Sequence, residues 1–277
     1  MERRQSWSTH DGLRIQARLW QPQSGRLRGT VYLVHGLGEH SGRWEHVGER
    51  LASADYAVLA ADLRGHGLSE GPRGHAPSLE DLLDDVDIGL QQASTLGSER
   101  VFLAGHSLGG TVVVNHALRR RPSVTGVISS APWLELAMPV PGWKTALGRL
   151  LTRVAPKFAM PNGLDQRALS HDDAVVRAYA EDPLVHDRIS AALGICLVDA
   201  SRWALEHAPE LNVPMLMMHG TGDRITSWTA SQRFAQQAGA LCTYRAWDGL
   251  YHEIHNEPEG PRVVATVIDW LNERTQN

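Results

Sequence analysis

Cysteine is nearly absent. Cys196 and Cys242 are the only two in 277 residues, and their spacing matches neither a metal-binding nor a redox motif. The expectation is two free, neutral thiols. Lysine is equally scarce, with only Lys144 and Lys157, and the formal net charge is −4. No basic stripe exists to follow a phosphate backbone, which argues against a nucleic-acid partner. No apolar run approaches the roughly 18 residues that a membrane span requires. The charged start, Glu2-Arg3-Arg4, leads into no apolar segment, so no signal peptide is expected and a cytoplasmic setting is the default. Internal repeats and low-complexity tracts are also missing. Histidine is plentiful, at 14 residues, and invites a metal reading. However, His252-Glu253-Ile254-His255 has the wrong spacing for a zinc helix, and His35 and His40 have no third ligand at a recognisable spacing. Neither a metal nor a cofactor is expected.

What the chain does contain is alternation. Two β-rich runs, 6–9 and 13–19, flank Asp11-Gly12, a hairpin turn signal. Strands are then predicted over 30–34, 56–61, 101–104, 124–129, 213–218 and 242–247. Helical spacing covers 44–54, 78–96, 108–121 and 261–274, and Ser78 followed by Asp81 reads as a helix start. Strands alternating with helices imply a mostly parallel sheet with helices on both faces. Residues 133–209 interrupt the pattern. No clear strand is expected there, prolines stand at 139, 141, 156, 161 and 183, and Trp143, Ala146, Leu147, Leu150, Leu151 and Val154 share one helix face. So long an excursion predicts an inserted helical cap over a core of 1–132 and 210–277.

The chemistry centres on Gly105-His106-Ser107-Leu108-Gly109, which follows the strand over 101–104 and opens a helix. A serine on a strand-to-helix turn between glycines is exposed for acyl chemistry. It needs a base, and the base needs an orienting acid. In sheets with this elbow the partners follow in the order acid, then histidine, beyond later strands. Asp223 follows the strand over 213–218, and His252 follows the strand over 242–247. Asp248 is the rival acid, better suited to a turn with Gly249, and His255 is the rival base. An oxyanion would take the backbone N–H of Leu108 and one from His35-Gly36-Leu37-Gly38, with Leu37 the choice. His35 and His106 flank glycine turns and read as packing groups.

These residues resemble a family. His35-Gly-Leu-Gly-Glu-His-Ser-Gly-Arg-Trp44 is similar to a loop of the monoacylglycerol lipases. Asp62-Leu-Arg-Gly-His-Gly-Leu-Ser-Glu-Gly71, Gly105-His-Ser-Leu-Gly-Gly110, Gly222-Asp-Arg224, Tyr251-His-Glu-Ile-His255 and Asp182-Pro-Leu184 continue the match over nearly the whole chain. Lysophospholipase-like hydrolases share much of the pattern. The resemblance implies an α/β-hydrolase with a helical cap, the triad Ser107, Asp223 and His252, and hydrolysis of monoacylglycerols without a cofactor. It further implies that Glu39, Arg43, Tyr179 and His255 line the glycerol end, although Glu39 and Arg43 can equally form an ion pair that holds the loop. The alternatives are a lysophospholipase, a general carboxylesterase, an acyltransferase, or a binding protein on the same scaffold. The expected partner is a small lipid ester, with transient lipid-interface contact through the cap. Residues 133–143 have no counterpart in the pattern, which leaves the acyl-chain preference open.

Overall fold

The computed structural model describes residues 2–138 and 140–276, so Pro139, one of the prolines noted above, lies outside the described residues. An N-terminal hairpin, β1 (Glu2–Ser8) and β2 (Arg14–Trp20), pairs antiparallel around Gly12, whose φ is 86°. The sheet continues through β3 (Gly29–Val34), β4 (Tyr56–Ala61), β5 (Val101–His106) and β6 (Gly126–Ser130). Between β6 and the next strand of this sheet lie two three-residue strands, β7 (Ala159–Pro161) and β8 (Arg188–Ser190), which pair only with each other. The main sheet ends with β9 (Met215–Gly220) and β10 (Cys242–Trp247), in the order β1-β2-β4-β3-β5-β6-β9-β10. From β4 to β10 every pairing is parallel. Strands β3 to β6 and β9 are buried along their whole length, as near-continuous apolar runs in a sheet covered on both faces must be.

Helices cover both faces. Residues of α1 (Glu45–Ser53) and α8 (Gly260–Glu273) form one core layer with Val31, Val58 and Phe102. Residues of α2 (Leu79–Ser94), α3 (Leu108–Arg120) and α7 (Trp228–Ala238) form the other with Val34, Leu103 and Met217. Ser78 caps α2 by accepting from the Asp81 amide at 3.2 Å. Helix α7 goes beyond the elements expected from the sequence.

Between β6 and β9 run α4 (Gly142–Val154), α5 (Asp173–Glu181) and α6 (Ala191–Glu206). The expectation of no strand in this stretch is corrected by β7 and β8. They are too short for periodicity to reveal, and Pro161 argues against a strand until its partner is known. The apolar stripe of α4 does not pack on the core. Trp143 and Val154 are 66% and 70% exposed. The helix instead meets α6 through Gly148, where a Cβ would lie 2.9 Å from Ile195 Cδ1, and through an Arg149–Asp199 ion pair.

Candidate active site

Ser107 sits between β5 and α3 with φ 52° and ψ −114°, a strained conformation for any residue with a Cβ. The flanking glycines make this possible. A Cβ on Gly109 would overlap the carbonyl oxygen of Val34, and one on Gly105 would overlap that of Gly109. The turn is pinned by the Ser107 amide donating to Ser130 O at 2.9 Å and by the Thr111 amide donating to Ser107 O at 3.0 Å.

Asp223 and His252 lie on the loops after β9 and β10. Glycines again allow the approach: the Gly222 amide donates to Leu250 O at 2.9 Å, and a Cβ on Gly220 would overlap the same carbonyl. His252 Nδ1 lies 2.7 Å from Asp223 Oδ2, with both side chains buried. This occupies Nδ1 and leaves Nε2 as the nitrogen that can exchange a proton with a hydroxyl. The Ile225 and Thr226 amides donate to Asp223 Oδ1 at 2.7 and 3.0 Å, and the Thr226 hydroxyl donates to Oδ2 at 2.8 Å. Burial alone would raise the Asp223 pKa, but the charge of His252 and hydrogen bonds from His219 and His252 hold it well below the usual carboxylate range. Burial likewise disfavours a charged His252, yet the Asp223 carboxylate outweighs it and raises the imidazole above its ordinary value. The rivals stand elsewhere. Asp248 accepts from the Thr221 hydroxyl at 3.1 Å, beside the Gly249 turn. His255 stacks on Trp44 at 3.8 Å between ring centroids, and neither ring nitrogen has a partner.

The glycine loop after β3 is braced by charge. Glu39 accepts from the Gly36 amide at 2.6 Å, from Trp44 Nε1 at 3.2 Å and from Arg43 at 3.0 Å. Arg43 also makes a two-pronged pair with Glu253, at 2.6 and 2.7 Å, and lies over the Tyr179 ring at 4.6 Å. The Leu37 amide takes no part in any backbone hydrogen bond among the described residues. The Leu108 amide, first in its helix, has no intrahelical acceptor. His35 bridges the loop, with Nδ1 2.7 Å from Gly36 O and Nε2 accepting from the Leu63 amide at 2.9 Å.

A cavity of about 640 Å³ opens over Ser107. Its floor includes Leu37, Glu39, His106 and His252, and its walls include Trp133, Leu136, Met138, Leu164, Leu169, Tyr179, Ile189 and Ile225. Two residues expected at a substrate's polar end do not line it. Arg43 is turned into its ion pairs, and His255 is packed behind the floor against Trp44 and His106. Charged and aromatic surroundings respectively hold them there, which local sequence does not reveal. His106, whose pKa burial and the neighbouring His252 push down to about 3, is a neutral ring packed at the floor. Sequence reasoning missed Thr226 and His219, both on Asp223. The only available signal was their nearness to Asp223 in the chain.

This is an α/β-hydrolase fold carrying a serine, histidine and aspartate constellation beneath an apolar cavity. A family model described as serine aminopeptidase, S33, matches residues 25–259, and the chain belongs to that family of serine hydrolases. It is 34% identical to a monoacylglycerol lipase of Mycolicibacterium smegmatis, over 94% of this chain and 93% of that protein. It is 32% identical to the phospholipase YtpA of Bacillus subtilis, over 87% of this chain and 94% of that protein. Among solved structures, the monoacylglycerol lipase of Paleococcus ferrophilus superposes with a TM-score of 0.87 at 37% identity, covering 94% of this chain and 99% of that one.

Proposed function

We propose that the protein hydrolyses monoacylglycerols to a fatty acid and glycerol through an acyl-enzyme on Ser107. The observation that carries this reading is the cavity: largely apolar walls of a size for an acyl chain converge on a floor that holds Ser107, His252 and Leu37, whose amide no backbone acceptor engages among the described residues. Ser107 Oγ attacks the ester carbonyl while His252 takes its proton. The Leu37 and Leu108 amides receive the oxyanion. His252 then protonates the departing glycerol oxygen, and it activates the water that frees the acid. Asp223 holds the imidazole in one tautomer and stabilises its charged form. Residues 133–209 act as the cap that selects the substrate. Tyr179 meets the glycerol end, whereas Glu39, Arg43 and His255 act by holding the loop and the floor.

Of the carboxylates lining the cavity, Glu39 and Glu253 are paired with Arg43 and Asp223 with histidine. Lipid contact is part of the proposal. Trp143, Leu147, Leu150 and Val154 form an exposed stripe on α4, and Met138 of the cavity wall is 77% exposed. Among the described residues no helix is long and apolar enough to cross a membrane. The proposed setting is cytoplasmic, with Cys196 and Cys242 as free thiols.

The test is a substrate panel with Ser107→Ala as control: monoacylglycerols of several chain lengths, lysophosphatidylcholine and short p-nitrophenyl esters. Monoacylglycerols should give the highest kcat/KM. If they are the poorest substrates, the glyceride reading is lost and the phospholipase or carboxylesterase reading replaces it. Failure of a fluorophosphonate to label the native protein would overturn hydrolysis itself.

A further inference from the structure

His219 is the penultimate residue of β9 and is fully buried. Its Nε2 lies 3.0 Å from Asp223 Oδ2, the same oxygen that meets His252 Nδ1 at 2.7 Å. Its Nδ1 lies 2.8 Å from the hydroxyl of Ser231, itself fully buried on α7. The tautomer follows from chemistry. An ionised carboxylate only accepts, so the proton of a neutral imidazole must sit on Nε2, and Nδ1 must then accept from the Ser231 hydroxyl. Burial, outweighing the bond to Asp223, lowers the His219 pKa and keeps the ring neutral.

We propose that His219 is a positioning residue for the reaction: a neutral imidazole, anchored by Ser231, that donates to Asp223 and thereby fixes the carboxylate that orients His252. The inference rests on the serine hydrolase reading of Ser107 and His252. Two imidazoles and the Thr226 hydroxyl share Asp223 Oδ2. This arrangement has two consequences. The carboxylate cannot rotate about its bond to follow His252, because the Ile225 and Thr226 amides hold Oδ1 while His219 and the Thr226 hydroxyl hold Oδ2. Its negative charge is also spread over those donors, which moderates the pull it exerts on the His252 proton. Among the described residues, the polar and titratable groups seen to act on His219 are Asp223, Thr226, Ser231 and His252. The titratable groups acting on His252 besides Asp223 are Glu39, Glu253, His106, His255 and His219 itself, and of these the substitution removes only His219.

The test compares His219→Ala, His219→Gln and Ser231→Ala with the native enzyme on a p-nitrophenyl ester across pH. Hydrogen bonds to charged groups are strong enough that His219→Ala should lose about tenfold in kcat, with KM within about twofold. The sign of the pH effect is fixed. With one donor removed, Asp223 holds the His252 proton harder, so the acidic limb of kcat/KM moves to higher pH, by about half a unit. The amide of His219→Gln can donate to Asp223 and should restore most of the rate and the native limb. Ser231→Ala should show a smaller loss in the same direction. Unchanged kcat and an unmoved limb in His219→Ala would overturn the proposal. So would a loss in which His219→Gln fares no better and melting temperature falls in parallel, because that pattern marks a packing role. Failure of the parent reading would look different: the native enzyme itself would neither turn over the ester nor label with a fluorophosphonate at Ser107.

Discussion

Removing the Arg43 guanidinium should destabilise the protein strongly, although the side chain lies outside the proposed triad. The side chain is 9% exposed and lies between Glu39 and Glu253, each 3% exposed. Arg43→Ala leaves two carboxylates buried without their counter-charge. Breaking a buried pair in this way costs about 3–5 kcal/mol, and for a chain of this size that corresponds to a melting temperature lower by about 10 °C. The deficit should depend on pH in a defined direction. Burial would raise the Glu253 pKa, but Arg43 outweighs it and lowers the value from 4.5 to about 2. Its stabilising contribution is therefore present above about pH 4.5 and is lost as pH falls through about 2. In Arg43→Ala the Glu253 carboxyl, buried without its counter-charge, becomes neutral more readily, so the gap to the native protein narrows as pH falls. Denaturant unfolding of both proteins at pH 5 and pH 8 measures this. The loop should suffer too, because Glu39 holds the Gly36 amide next to the proposed Leu37 donor, so kcat should fall in the folded variant. A deficit below about 1 kcal/mol, or one that does not change with pH, would refute the argument, since it would mean that water already screens the pair.

Four further outcomes are expected. Ser107→Ala and His252→Ala should each lower kcat by about 10⁶ and Asp223→Asn by about 10⁴, whereas His255→Ala should cost far less; steady-state ester hydrolysis decides, and a crippling His255→Ala would exchange the two histidines' roles. Because the base must be neutral and Asp223 raises the His252 pKa above 6.5, kcat/KM should fall as pH drops through a value above 6.5, read from a pH–rate profile. Gly109→Ala should fold poorly or not at all, because its Cβ meets the Val34 carbonyl rather than a movable side chain; soluble yield and thermal melting test this. Trp143→Glu with Leu150→Glu should weaken binding to anionic phospholipid vesicles at least about tenfold in co-sedimentation while leaving hydrolysis of a soluble short-chain ester intact.

Much of the site was legible in one dimension, for identifiable reasons. The elbow is local: five residues carry the glycines that permit its strain, and the adjoining strand and helix announce themselves by composition. Asp223 and His252 were reachable because each follows a strand whose apolar run is unmistakable, and parallel strands place such loops at one end of the sheet. Other features resisted sequence reading. Strands β7 and β8 are three residues each and exist only through each other. The stripe on α4 is plain as a pattern, yet periodicity states only that a face is apolar and not what covers it.

The sequence by itself determined the alternating architecture, the turn of the proposed nucleophile and the order of its proposed partners, because these rest on interactions within a few residues and on the apolar period of each element. The tertiary structure alone decided which charges and rings meet across distant segments. Glu253 reaches Arg43 across 210 positions, which turns an expected substrate contact into a brace. His255 is spent on stacking with Trp44, and His219 becomes a second imidazole on Asp223 because α7 brings Ser231 against its other face. Such pairings depend on how the sheet twists its loops together. A buried polar group takes whichever partner the packed fold sets within about 3 Å, and no local pattern encodes that choice.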